Sequence, residues 1–276
     1  MGVGDAFGGD LSRLTIFAKG NLDVRDALHS LRLGGALAWN GLNQVLRERS
    51  SGDVVRLRHE TWTRSDALLA ATGVTPASLS ERALDLGAHT AAVQFSDALF
   101  SAEADAFVLS IQPDINVQLL RHRQEGYLFY PNDWRSWPQE DRDWLRANFT
   151  PEPFLDVDSA IANLAQIVGR LRSRSAAPIL IFNVSSVVPG EDLHDYMGMD
   201  EPASVRIKRF NLGLIALSRQ TGVSIIDVDR IVAQGGADRL KLDAGHLTAA
   251  GCEAVAREVV RVLEDYGVLT PAKDVQ

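Results

Sequence analysis

Five short apolar runs punctuate the chain: LTIFA (14–18), VVRLRH (54–59), AFVLSI (106–111), PILIFNV (178–184) and VSIIDVD (223–229). The first, third and fourth are apolar almost throughout. That pattern suits strands covered on both faces rather than a sheet with one wetted side. Between the runs the apolar positions fall to helical spacing. In ASVRIKRFNLGLIALSRQTG, Val205, Phe210, Leu214 and Leu217 lie near one stripe, and Gly222 comes next as a stop. Near the C-terminus Val255, Val259, Val262 and Leu263 repeat at i, i+4, i+7 and i+8, with Gly267 beyond. Alternating strand and helix predicts a three-layer, doubly wound α/β fold around a five-stranded parallel sheet, as one domain over residues 1–276.

One segment breaks this rhythm. Residues 124–156, QEGYLFYPNDWRSWPQEDRDWLRANFTPEPFLD, concentrate aromatics, prolines and acids after the third strand. An insertion there reaches the carboxyl edge of the sheet, where open α/β folds bind ligands, and reads as a substrate lid or wall. The same composition fits a surface excursion that packs its own aromatics.

Composition narrows the partners. Of 276 residues 46% are hydrophobic and 23% charged, as in a globular protein, with a formal net charge of −8. An acidic chain is expected to bind neither nucleic acid nor an anionic membrane, although the basic run Arg121-His122-Arg123 suits a small anionic ligand. The lone cysteine, Cys252, falls on the apolar side of the last helix, and no internal disulfide is possible. The first residues lack a cationic stretch leading into an apolar run, and no apolar stretch approaches the ~20 residues of a membrane span. The expectation is a cytoplasmic protein of open oligomeric state. Neither metal nor cofactor is predicted. His59, His122, His194 and His246 lack ligand spacing, and the glycine-rich GVGDAFGG at 2–9 precedes the first strand instead of coming after it.

The candidate chemistry lies in LKLDAGHLTAAG, where Asp243 and His246 stand three residues apart before the last helix. A neutral imidazole needs a partner on one nitrogen to leave the other free as a proton acceptor. A carboxylate in the same tight loop supplies it and stabilises the imidazolium formed on proton transfer.

This Asp-x-x-His placement, after PILIFNVSS and FNLGLIALSRQTGVSIIDVD, resembles the SGNH (GDSL-type) hydrolases. The resemblance implies a flavodoxin-like strand order, 2-1-3-4-5, and a hydrolase or acyl-transfer enzyme acting on a small ester or acylated substrate. In such enzymes His246 is the base and Asp243 its orienting acid. The first block departs from the family. Its Gly-Asp-Ser is replaced by Lys19-Gly20-Asn21-Leu22, so the nucleophile position falls on Asn21 or Leu22, and neither forms an ordinary acyl-enzyme. The third block maps onto IQPD (111–114), with Pro113 where an oxyanion-hole Asn belongs and Gln112 or Asn116 as substitute amide donors. Gly20 and Gly35 are candidate oxyanion donors, although Gly34-Gly35 also reads as a plain turn ahead of a helix.

Three nucleophiles remain open: a water activated by His246, a serine at the end of the fourth strand (Ser185 or Ser186), or none. In the last case the chain is a non-hydrolytic ligand-binding or group-transfer protein of the same fold. His59 and Glu60 end the second strand, and Asp23 suits a helix dipole better than catalysis.

Overall fold

The computed structural model describes residues 13–187, 196 and 198–271. Its central sheet comprises β1 (Arg13–Lys19), β2 (Val54–Glu60), β3 (Ala106–Ser110), β4 (Ile179–Phe182) and β5 (Ser224–Ile226). All neighbours pair in parallel, in the order 2-1-3-4-5. Each apolar run in the sequence therefore contains one strand.

The connecting helices are α1 (Leu22–Leu28), α2 (Leu42–Glu48), α3 (Ser65–Ala70), α4 (Gln112–Asn116) and α5 (Gln139–Asn148). They continue with α6 (Val157–Arg172), α7 (Ala203–Thr221), α8 (Val228–Gly235) and α9 (Ala249–Asp265). Successive strand residues point to opposite faces. Ile16, Ala18, Val108, Leu180 and Phe182 join one core with α1, α2, α8 and α9. Phe17, Phe107, Leu109, Ile179 and Ile181 join a second core with α3, α6 and α7. Both faces are dry, which is why these strands read as continuous apolar runs.

The α9 stripe is as expected, with Val255, Val259, Val262 and Leu263 all buried. In α7 the stripe is shifted. Val205 is exposed, and Ala203, Ile207, Phe210, Leu214 and Leu217 are buried. Steps of four and three keep those residues on one side, whereas Val205 lies five before Phe210 and rotates away. The helix stops at Gly222, as predicted.

Gly34 and Gly35 do not precede a helix. They form the turn of a hairpin between Leu31–Leu33 and Ala36–Trp39, with φ of 55° and 85°. Two consecutive positive φ values are what a two-residue hairpin of the right twist requires. Residues 124–156 contribute to a three-stranded antiparallel sheet of Leu120–His122, Leu128–Phe129 and Phe149–Pro151, together with α5. This unit packs its own aromatics, with Phe129, Trp137 and Phe149 buried among Tyr127, Trp134 and Trp144. Among the described residues no helix is long and apolar enough to cross a membrane.

One close approach seats α9 against the loop before it. A Cβ on Gly251 would stand 2.2 Å from the carbonyl oxygen of Leu240, which already accepts the Thr248 N–H. Gly251→Ala is therefore expected to cost ~1–3 kcal/mol of stability through overpacking. Gly169→Ala, inside α6 with nothing near its Cβ position, should be neutral or stabilising by up to ~1 kcal/mol. Denaturant midpoints of the two variants check this contrast.

Candidate active site

The strand order reverses at β1, so α1 and the segment after β3 leave on opposite faces and open a crevice between the carboxyl ends of β1 and β3. A part-buried contact closes its floor. The Ser110 hydroxyl, at the end of β3, donates a short hydrogen bond to Asp23 in the first turn of α1. The other Asp23 oxygen accepts the Asn21 N–H at 3.1 Å. Burial pushes the Asp23 carboxyl above its ordinary value, and the Ser110 hydrogen bond offsets only part of that.

The loop that covers this crevice lies between α8 and α9. Asp243 organises it by accepting the N–H of Gly245 at 2.7 Å and of His246 at 2.9 Å. The same carboxylate meets His246 Nδ1 at 2.9 Å. A proton on Nδ1 satisfies that contact and leaves Nε2 as the acceptor. Burial pulls the Asp243 carboxyl up, but the hydrogen bonds from the His246 ring and the two backbone N–H groups outweigh it and hold it below its ordinary value. The imidazole side chain is 46% exposed to solvent. Lys241 anchors the loop's other side. Its buried Nζ donates to Ala244 O at 3.0 Å and Val187 O at 2.7 Å, and burial lowers its pKa to about 8.

Two cavities adjoin the crevice. One of about 70 Å³ is lined by Asp23, Gln112, Asn116, Ser185, Lys241 and Gly245, among others. The other, of about 10 Å³, lies among Leu22, Asp23, Asp26, Gly245, His246 and Cys252. No residue of 124–156 lines either one.

Of the two residues expected at a nucleophile position, Leu22 lines the small cavity together with His246. Asn21 is the N-cap of α1, its side chain caps no backbone N–H, and its Oδ1 is buried without a partner. Ser185 is buried and closes a turn, donating to Val187 O at 3.4 Å and accepting the Val187 N–H at 3.2 Å. Ser186 is hydrogen-bonded to Asp229 at 3.1 Å.

The expected oxyanion donors separate. Gly20 is committed elsewhere: its N–H bonds to Glu60 O at 3.2 Å and its carbonyl accepts from His59 Nε2 at 2.8 Å. Gly35 sits at the exposed hairpin tip beyond the C-terminal end of α1, some ~10 Å of helix away from the β1 turn. Gln112 and Asn116, at the two ends of α4, do line the larger cavity. The Gln112 N–H is held by Ser110 Oγ at 3.0 Å, and its Oε1 is buried without a protein partner.

Other polar residues of the sequence have structural partners. Glu60 pairs with the buried Lys19 at 2.8 Å. Arg121 pairs with Glu152, and His122 is buried on a strand, stacked against Tyr127. Among the described residues no three His, Cys, Asp or Glu side chains are grouped to hold a metal ion, and His194 and the segment 2–9 lie outside those residues. Sequence reasoning sets Asp23 aside and misses Ser110 and Lys241. Ser110 is detectable as the one polar residue at the end of the third apolar run.

The strand order 2-1-3-4-5 in a parallel sheet covered by helices on both faces is the architecture that the resemblance implied. The chain is similar to a lipase/acylhydrolase from Enterococcus faecalis, 12% identical over 95% of this chain and 99% of that one, with a TM-score of 0.50. It is also similar to a member of the lipolytic G-D-S-L family from Veillonella parvula (9% identity, 92% and 99% covered, TM-score 0.47). A third similar structure is a catalytic mutant of an acetylxylan esterase from Geobacillus stearothermophilus (13% identity, 91% and 94% covered, TM-score 0.48). No family model and no curated protein matches the sequence. At these identities the likeness is one of fold.

Behind Gln112, Asp114 accepts the Ser65 N–H at 2.6 Å, while its second oxygen is buried without a partner. Burial raises its pKa from 3.8 to about 7. A raised native pKa means that the folded state binds the proton more tightly. The stabilisation is present below pH ~4 and is lost as pH rises through about 7. Asp114→Asn keeps an acceptor for Ser65 and cannot ionise. Its stability relative to wild type should therefore rise between pH 4 and 8, by ~4 kcal/mol at most. Urea unfolding at the two pH values measures it.

Proposed function

We propose that this protein hydrolyses a small ester or acylated substrate, with His246 as general base, Asp243 as its orienting carboxylate, and water as the nucleophile. The observation that carries this reading is the 2.9 Å Asp243–His246 contact beside a cavity shared with Leu22. Leu22 offers no atom to acylate. The cavity of about 10 Å³ is close to the ~10–15 Å³ that one water occupies by this measure. The neighbouring space of about 70 Å³ suits a short acyl group such as acetyl.

In this mechanism His246 Nε2 takes a proton from water as the water oxygen attacks the acyl carbon. The imidazolium is stabilised by Asp243. The side-chain amides of Gln112 and Asn116 are the candidate donors to the oxyanion. Collapse breaks the ester C–O bond, and His246 returns its proton to the leaving alkoxide. A hydroxyl acceptor in place of water gives acyl transfer by the same steps. The turn-closing contacts of Ser185 and the Asp229 contacts of Ser186 support water over either serine.

Hydrolysis of p-nitrophenyl acetate tests the reading. His246→Ala should lower kcat/KM by a factor of ~10²–10⁴ and Asp243→Asn should also lower it, while Ser185→Ala retains activity. Intact mass should show no fluorophosphonate adduct on the wild-type protein. Wild-type turnover by His246→Ala, or an adduct on Ser185 or Ser186, contradicts the mechanism.

A further inference from the structure

Arg123 is the member of the basic run 121–123 that neither pairs with a carboxylate nor stacks, among the described residues. It lines a cavity of about 660 Å³ in the aromatic insertion, apart from the two cavities beside His246. That volume lies within the ~300–1,000 Å³ of ordinary small-molecule sites. Arg135 and Arg146 line the same cavity, each near one ring, with guanidinium carbons 5.6 and 5.8 Å from the Trp134 centroid. Arg146 is paired with Asp143 at 2.9 Å, whereas Arg135 has no carboxylate partner among the described residues.

Two further features mark the wall. Asp133, also lining the cavity, holds a left-handed φ of 50°. Tyr130 and Asn132 also line the cavity. Leu120, Pro131 and Phe149 supply apolar surface.

The charges decide the ligand class. Three arginines face one lining carboxylate, Asp133, and Arg146 is neutralised by Asp143, which leaves one net positive charge. A guanidinium presents paired donors that match a carboxylate, and a single net charge suits a monoanion better than a phosphate dianion. Tyr130 and Asn132 are residues able to hydrogen-bond, and beside an aromatic and apolar wall they suit a hydroxylated ring. We propose that this cavity binds a carboxylate-bearing organic monoanion of sugar-acid size, its carboxylate held by Arg123 and Arg135.

Calorimetric titration of the full chain with D-glucuronate, D-glucose and inorganic pyrophosphate tests the site. Glucuronate should bind and weaken as salt rises, and glucose should give no heat. Arg123→Ala/Arg135→Ala should weaken glucuronate about tenfold or more. Both side chains are exposed, so the variant should fold, and the salt series on the wild-type protein stands without it. His246→Ala should bind glucuronate as the wild type does, which separates this site from the esterase reading. No binding of glucuronate up to about 10 mM overturns the assignment. So does equal binding of glucose, tighter binding of pyrophosphate, or undiminished binding by the double variant.

Discussion

Asp243 is the constraint on which the candidate site depends. One carboxylate accepts from two backbone N–H groups and from the imidazole beside it, so it folds the loop and orients the ring together. Separate residues commonly do these two jobs. Here the loss of Asp243 would release the turn as well as the ring, leaving Lys241, the Leu242 N–H to His246 O bond and the seat of α9 on Leu240 to hold the loop. Because the pair is largely exposed, its Coulomb attraction is screened and contributes little to stability. Its value is geometric.

The second constraint is topological. Reversal of strand order at β1 places α1 and α4 on either side of one crevice, and the Asp23–Ser110 contact ties the two strand ends together. An acid this buried is tolerable because it is hydrogen-bonded on both oxygens. The first residue of α1, Leu22, lines one small cavity together with His246. In the proposed mechanism the side chain at that position is a hydrocarbon, and this is what turns the reading toward an activated water.

Much of the fold is legible in the sequence. Strands buried on both faces produce continuous apolar runs, and each such run holds a strand. The base loop is legible because its decisive contact is local, between residues three apart. Contacts across long separations are not. Asp23 and Ser110 are 87 positions apart, and nothing in either neighbourhood announces the other. Lys241 reads as an ordinary surface lysine until the Val187 carbonyl, 54 residues upstream, is placed beside it. The errors are similarly local in cause. The pair Gly34-Gly35 specifies a positive-φ turn but does not encode whether a helix or a strand comes next. Val205 belongs to an apolar pattern in the sequence yet lies on a different face of α7 from the buried stripe.

Fluorophosphonate labelling of a Leu22→Ser variant tests most directly whether the imidazole faces the first residue of α1. The account predicts an adduct at position 22 that is lost when His246→Ala is added, with the wild-type chain unlabelled throughout. A folded Leu22→Ser variant that resists the probe, or one labelled equally well without the imidazole, would contradict it.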